Sequence, residues 1–163
     1  MTQSGHHAIL VIRALELIYF KTKSDTGLKV EQTMAVILLV EDEEQVRVLA
    51  DSFLQVEGNK TLSAGTVQQA LALIEGDETI DLLFVDLKIQ DDVEGGLKLA
   101  KKAVEARPNL KVLYTSGQAV TDGMMALFVE KSTFLPKPYT VEQLATTLLA
   151  KFSIGSCSKK SGE

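Results

Sequence analysis

Five short apolar stretches recur along residues 34–152, most of them followed by a segment whose apolar positions fall three and four apart. Ala35–Val40 is a continuous apolar run, the pattern of a strand covered on both faces. Val46, Leu49, Ala50 and Phe53 then mark one face of a helix that Gly58-Asn59 stops. Lys60–Ser63 is a weaker, edge-type strand, and Val67, Ala70, Leu71 and Ile74 line the next helix, ended by Gly76-Asp77. Asp81–Val85 is a second buried strand. A polar loop from Leu87 to Gly96 leads to a helix with Leu97, Ala100 and Val104 inward, closed by Arg107-Pro108 because the residue before proline is pushed out of the α region. Lys111–Thr115 reads as the fourth strand, Val120–Val129 as a looser helix and Thr133–Leu135 as a short fifth strand. Thr140 with Gln143 forms a capping box, followed by Val141, Leu144, Ala145, Leu148 and Leu149 on one helical face.

Five β–α units imply a parallel sheet with helices on both faces. Right-handed crossovers leave few topologies, and the usual small one is the flavodoxin-like doubly wound (βα)5 sheet, order 2-1-3-4-5. Its ligand crevice lies at the switch point between strands 1 and 3, outside their carboxyl ends.

Residues 1–33 read as an N-terminal extension. Its apolar run Ala8–Phe20 is interrupted by Arg13 and Glu16, is shorter than a bilayer span of about 20 residues and lacks the marks of a signal peptide, so no membrane association is expected. It forms an extra helix, belongs to the linker of a larger protein, or reflects a start site really at Met34. Residues 153–163 read as a flexible tail, leaving no room there for an output domain.

Composition narrows the classes further. With 45% hydrophobic residues and a mean hydropathy of +0.11, the chain is expected to fold. A net charge of −5 with no basic stripe argues against direct nucleic-acid binding. The single cysteine, Cys157, fits a reducing cytoplasm.

The candidate chemistry sits where the topology places ligands. Glu41 and Asp42 follow strand 1 and Asp86 follows strand 3. Each alone is commonly a helix-capping or turn residue. Together, three acids repel unless a cation joins them, and a hard ion with oxygen ligands such as Mg²⁺ suits them. Ser116-Gly117 follows strand 4, and Lys137 lies between Pro136 and Pro138 after strand 5. Singly these are an ordinary turn and a surface charge. As a set they supply what phosphoryl transfer to an aspartate needs: Glu41 and Asp42 for the metal, Asp86 as nucleophile, and Ser116 and Lys137 for phosphoryl oxygens. The Lys137–Pro138 bond is a candidate for the cis form.

These residues resemble the motifs of the receiver domain of two-component response regulators. The matching stretches are Val40-Glu41-Asp42-Glu43, Asp86-Leu87-Lys88, Thr115-Ser116-Gly117 and Phe134-Leu135-Pro136-Lys137-Pro138, within about residues 34–152. The resemblance implies Asp86 as phosphoacceptor, with Mg²⁺ held by Asp42, Asp86, the backbone carbonyl of Lys88 and, through water, Glu41. It further implies Ser116 and Lys137 on the phosphoryl group and Phe134 as a switch aromatic, the ordinary reading of which is packing. A histidine kinase or histidine phosphotransfer protein would be the donor, output would pass through protein contacts of the face built by helix 4, strand 5 and helix 5, and self-catalysed transfer with slow hydrolysis would be its only activity. Pairing of two copies stays open, and the downstream partner is not named. The wording around Tyr114 and Tyr139 is similar to receivers of hybrid histidine kinases.

The pattern departs from the family at Gln90, where proline is frequent, at Gln118, where an aromatic is common, and in a longer acidic loop carrying Asp91, Asp92 and Glu94. The alternative on the same fold is a phosphorylation-independent binding module. A phosphatase with an aspartate nucleophile is disfavoured, since Lys88 stands where its acid would be. A flavin site is disfavoured because Glu41–Glu44 would repel a phosphate.

Overall fold

The computed structural model describes residues 34–152, and the expectations for residues 1–33 and 153–163 lie outside them. Five strands alternate with five helices: β1 (Val36–Val40), α1 (Glu44–Val56), β2 (Lys60–Ala64), α2 (Val67–Glu75), β3 (Leu82–Asp86), α3 (Gly95–Ala106), β4 (Lys111–Ser116), α4 (Asp122–Met125), β5 (Ser132–Pro136) and α5 (Val141–Phe152). All strand pairs are parallel and the order is β2-β1-β3-β4-β5. This is the flavodoxin-like sheet that the alternation predicts.

Side-chain alternation divides the core into two layers. Leu38, Val40, Leu83, Val85, Val112 and Tyr114 face α2 and α3, meeting Ala70, Ile74, Leu97, Ala100 and Ala103. Ile37, Leu39, Leu82, Phe84, Leu113 and Leu135 face α1 and α5, meeting Ala50, Leu54, Leu144, Leu148 and Phe152. β1 and β3 are buried along their whole length, which is why they read as unbroken apolar runs. Each fully buried leucine or phenylalanine contributes about 1.5–3 kcal/mol.

The helix faces are turned a little from those the spacing predicts. In α1 the inward stripe is Ala50 and Leu54, flanked by Phe53, while Leu49 is half-exposed. In α5 it is Leu144, Leu148 and Phe152, and Leu149 points out. Both outliers adjoin a buried residue in sequence and so stand about 100° round the helix from it. The capping box forms as predicted: Thr140 Oγ1 accepts from Gln143 N–H at 3.2 Å, and Gln143 Oε1 accepts from Thr140 N–H at 2.8 Å.

The helix expected over Val120–Val129 is a single turn, Asp122–Met125. Gly123 in that turn weakens it. The chain then tightens, with Leu127 N–H bonded to Met124 O and Phe128 N–H to Met125 O, each three residues back. Phe128 is drawn onto Tyr114, ring centroids 4.3 Å apart, and Tyr114 Oη accepts from Val129 N–H at 3.5 Å. Aromatic packing on β4 therefore wins over helix continuation.

One glycine fixes how α3 meets the sheet. A Cβ on Gly96 would stand 2.1 Å from the carbonyl oxygen of Asp86, and Gly96 N–H bonds to Leu87 O at 2.9 Å. Gly96→Ala is expected to destabilise the domain by roughly 1–3 kcal/mol through forced backbone displacement. Gly123→Ala, whose Cβ would meet only Thr121 Oγ1 at 3.8 Å, should be neutral or stabilise by up to about 1 kcal/mol. Urea unfolding of the two variants checks the contrast.

Candidate functional site

The carboxyl ends of β1, β3, β4 and β5 face one crevice. On the α1/α5 side of the sheet lie Leu39, Phe84 and Leu135. Two residues beyond each stand Glu41, Asp86 and Lys137. A strand period of two therefore sends these three side chains to the same side, at neighbouring positions of a register that pairs Leu39 with Phe84.

They meet directly. Lys137 Nζ donates to Glu41 Oε2 at 2.5 Å and to Asp86 Oδ2 at 2.6 Å. Glu41 is 4% exposed and Asp86 9%. The second oxygens are held by the main chain: Glu43 N–H donates to Glu41 Oε1 at 3.3 Å, and Lys88 N–H to Asp86 Oδ1 at 3.2 Å. The Lys137–Pro138 bond is cis. Tyr139 lies beside the cluster and packs on Phe84, centroids 6.2 Å apart.

Asp42 stands apart from this triad. It is exposed, and its Oδ2 accepts from Gln90 N–H at 2.7 Å. Arg47 braces the acidic pair from behind, its guanidinium donating to Glu41 O at 2.7 Å and Asp42 O at 3.4 Å. Ser116 is buried at the end of β4, and its Oγ accepts from Gln118 N–H at 3.0 Å. Phe134 is half-buried on the other side of the sheet, 6.1 Å from Phe128. Lys88 is exposed.

Sequence reasoning passed over two residues. Thr115 pairs with Asp86 in the ladder and buries an Oγ1 without a hydrogen-bond partner among the described residues. Arg47 of α1 holds the carbonyls of Glu41 and Asp42. The signal for Thr115 was its place two residues past Leu113; for Arg47 there was none, because its partners are main-chain carbonyls.

The electrostatics show what the cluster favours. Burial pushes Glu41 above its ordinary carboxylate range, and the Lys137 hydrogen bond only partly offsets it. Burial alone would lower the Lys137 ammonium, but its bonds to Asp86 and Glu41 outweigh that and hold it above its ordinary range. Tyr139 is pushed up to about 12, chiefly by burial. Glu41's upward shift reflects the cost of burying its charge, and that of Lys137 the two carboxylates it serves; two carboxylates against one ammonium leave surplus negative charge that favours an added cation.

Among the described residues, no three acidic, histidine or cysteine side chains already converge as a metal cluster. Lys137 lies between Glu41 and Asp86, and Asp42 is turned to Gln90. The donor chemistry fits a hard divalent cation: the acidic ligands are all oxygen, two of them are buried, and their charge exceeds the lysine's.

Known proteins resemble this chain in sequence and in fold. The family model described as "Response regulator receiver domain" matches residues 37–149. The sensor kinase CckA of Brucella abortus (strain 2308) is 33% identical over 117 residues, 70% of this chain and 12% of that protein. The transcriptional regulatory protein CpxR of Klebsiella pneumoniae subsp. pneumoniae (strain HS11286) is 28% identical over 117 residues, 72% of this chain. The chain spans 49% of CpxR's length. A crystal structure of a response regulator receiver protein from Sinorhizobium medicae WSM419 superposes with a TM-score of 0.66 at 26% identity, covering 76% of this chain and 98% of that one. No helix among the described residues is long and apolar enough to cross a membrane.

Because Glu41 holds its proton more tightly in the folded chain than in the unfolded one, ionising it opposes folding. The metal-free protein is expected to lose stability as pH rises from 4.5, the ordinary Glu41 value, through its raised folded value. Glu41→Gln should remove that part of the slope and raise the urea midpoint above wild type at about pH 7. Midpoints measured for both proteins at about pH 5 and about pH 7 test the sign.

Proposed function

The chain belongs to the response regulator receiver family of two-component systems, and on that premise we propose that Asp86 accepts a phosphoryl group from a histidine kinase or histidine phosphotransfer protein. The observation that carries the reading is the Asp86 carboxylate, buried and aimed by the Lys88 N–H at 3.2 Å and by Lys137 Nζ at 2.6 Å.

Asp86 attacks the phosphorus of a phosphohistidine. An O–P bond forms, the P–N bond breaks, and the imidazole leaves with the electron pair. Lys137 follows the charge from the carboxylate onto a phosphoryl oxygen. Ser116 Oγ already accepts from Gln118 N–H, so its own proton is free to donate to a second oxygen. Asp42, Asp86 and the Lys88 carbonyl would hold Mg²⁺, with Glu41 acting through water. When bound, the ion neutralises charge on the transferring group. The domain's contribution is positioning and charge compensation, with no substrate beyond its own aspartate.

Signalling follows from the same residues. Drawing Ser116 toward the phosphoryl group frees room behind it, and Phe134 moves inward against Phe128 and Tyr114. That repacks the short α4 turn and changes the α4–β5–α5 face, where Met125, Leu127 and Leu149 are exposed apolar contacts for a partner or a second copy. The phosphoryl group biases an existing two-state equilibrium rather than creating a new fold. Kinship with a sensor kinase whose length greatly exceeds the match supports a phosphorelay role.

Incubation with acetyl phosphate and Mg²⁺, followed by intact-protein mass spectrometry, is expected to add one acid-stable, base-labile phosphoryl group. Asp86→Asn should abolish it. Lys137→Met should slow it by roughly 10²-fold, and Ser116→Ala should slow it less. An adduct that persists in Asp86→Asn contradicts the assignment. No adduct in a folded wild type favours a phosphorylation-independent binding module.

A further inference from the structure

We infer that the main-chain amide of Gln90 sets how tightly this site takes its divalent cation, by competing for the Asp42 carboxylate. The inference rests on the reading of Asp42 as a cation ligand.

Gln90 N–H donates to Asp42 Oδ2 at 2.7 Å, across 48 residues of sequence. This is a short N–H···O contact to a charged acceptor. The lone pairs that face the amide are not turned to a cation.

The amide is aimed by a built turn rather than by chance. Ile89 and Asp92 close the turn with two main-chain bonds, 3.1 and 3.2 Å. Ile89 is buried and anchors one side. Asp92 anchors the other, accepting from Glu94 N–H at 3.0 Å, from Gly95 N–H through its carbonyl at 3.1 Å and from Lys98 Nζ at 2.9 Å. Gln90 itself adopts φ 58°, the left-handed conformation that side-chain-bearing residues seldom take. That conformation delivers its N–H to Asp42.

Cation and amide therefore oppose each other. A cation taking Asp42 weakens the Gln90 bond, and the Gln90 bond weakens the cation by the same factor. Loss of the bond leaves the Gln90 amide to solvent, so cation occupancy is reported at the mouth of the site before any phosphoryl group arrives. A proline at this position would have no N–H to give.

The test uses the full chain, titrated with Mg²⁺ by calorimetry and by amide-resolved NMR. In wild type, the Gln90 amide should lose hydrogen-exchange protection as Mg²⁺ saturates. An ester in place of the Gln90 amide, introduced with the α-hydroxy acid analogue, removes the N–H without locking φ and should tighten Mg²⁺ binding by about 3- to 10-fold, as expected for removing one exposed charge-assisted competitor. Gln90→Gly keeps the N–H and suits φ 58°, so it should bind within about twofold of wild type. Unchanged or weaker binding by the folded ester analogue overturns the inference, as does a Gln90 amide indifferent to Mg²⁺. If the ester analogue does not fold, the wild-type amide decides alone. If wild-type Asp42 and Asp86 signals do not respond to Mg²⁺, the proposed function falls and takes this inference with it; a Mg²⁺ response without Gln90 involvement sinks the inference only.

Discussion

A single ammonium shared by two buried carboxylates organises this molecule. Lys137 Nζ lies 2.5 Å from Glu41 and 2.6 Å from Asp86, joining the ends of β1, β3 and β5. Without it, two largely buried acids would repel each other at the centre of the crevice, and leaving buried carboxylates without their counter-charge typically costs about 3–5 kcal/mol. With it, the cluster is still short of positive charge, two carboxylates against one ammonium, while burial raises Glu41's proton affinity. The same shortage that strains the resting domain makes it receptive to a cation. Stability and chemistry therefore pull on the same residues.

The sheet makes that arrangement repeatable. Parallel strands end at one edge, and an alternation of two sends Glu41, Asp86 and Lys137 past Leu39, Phe84 and Leu135 to one side. Supporting contacts come mainly from the backbone: the N–H groups of Glu43, Lys88 and Gln90 hold Glu41, Asp86 and Asp42. Gly96 lets α3 close against the Asp86 carbonyl. The chemistry thus hangs on rigid elements, while the loop before α3 and the α4 turn, bound by fewer and more exposed contacts, are left to respond.

Much of this was legible in the chain. β1 and β3 announce themselves because burial on both faces demands uninterrupted apolar residues. The Thr140–Gln143 capping box fixes the start of α5 from local chemistry alone. Asp86 and Lys137 could be paired on paper because strand ends converge in a doubly wound sheet. The α4 segment could not be read, because the Tyr114–Phe128 contact that shortens it joins residues brought together only by the fold. Leu49 and Leu149 were placed inward because a pattern of threes and fours does not fix the helix's rotation to better than one residue. The Gln90–Asp42 bond left no sequence trace, since every residue but proline carries the amide that makes it.

The measurement that tests the central claim most directly is a crystal structure of the protein with Mg²⁺ and beryllofluoride. The account predicts a fluoroberyllate bonded to an Asp86 oxygen, Lys137 Nζ within hydrogen-bond distance of one fluorine, and the cation contacting Asp42 and Asp86. Density for the fluoroberyllate on any other residue, or a lysine that keeps both carboxylates while the fluoroberyllate goes elsewhere, would contradict it.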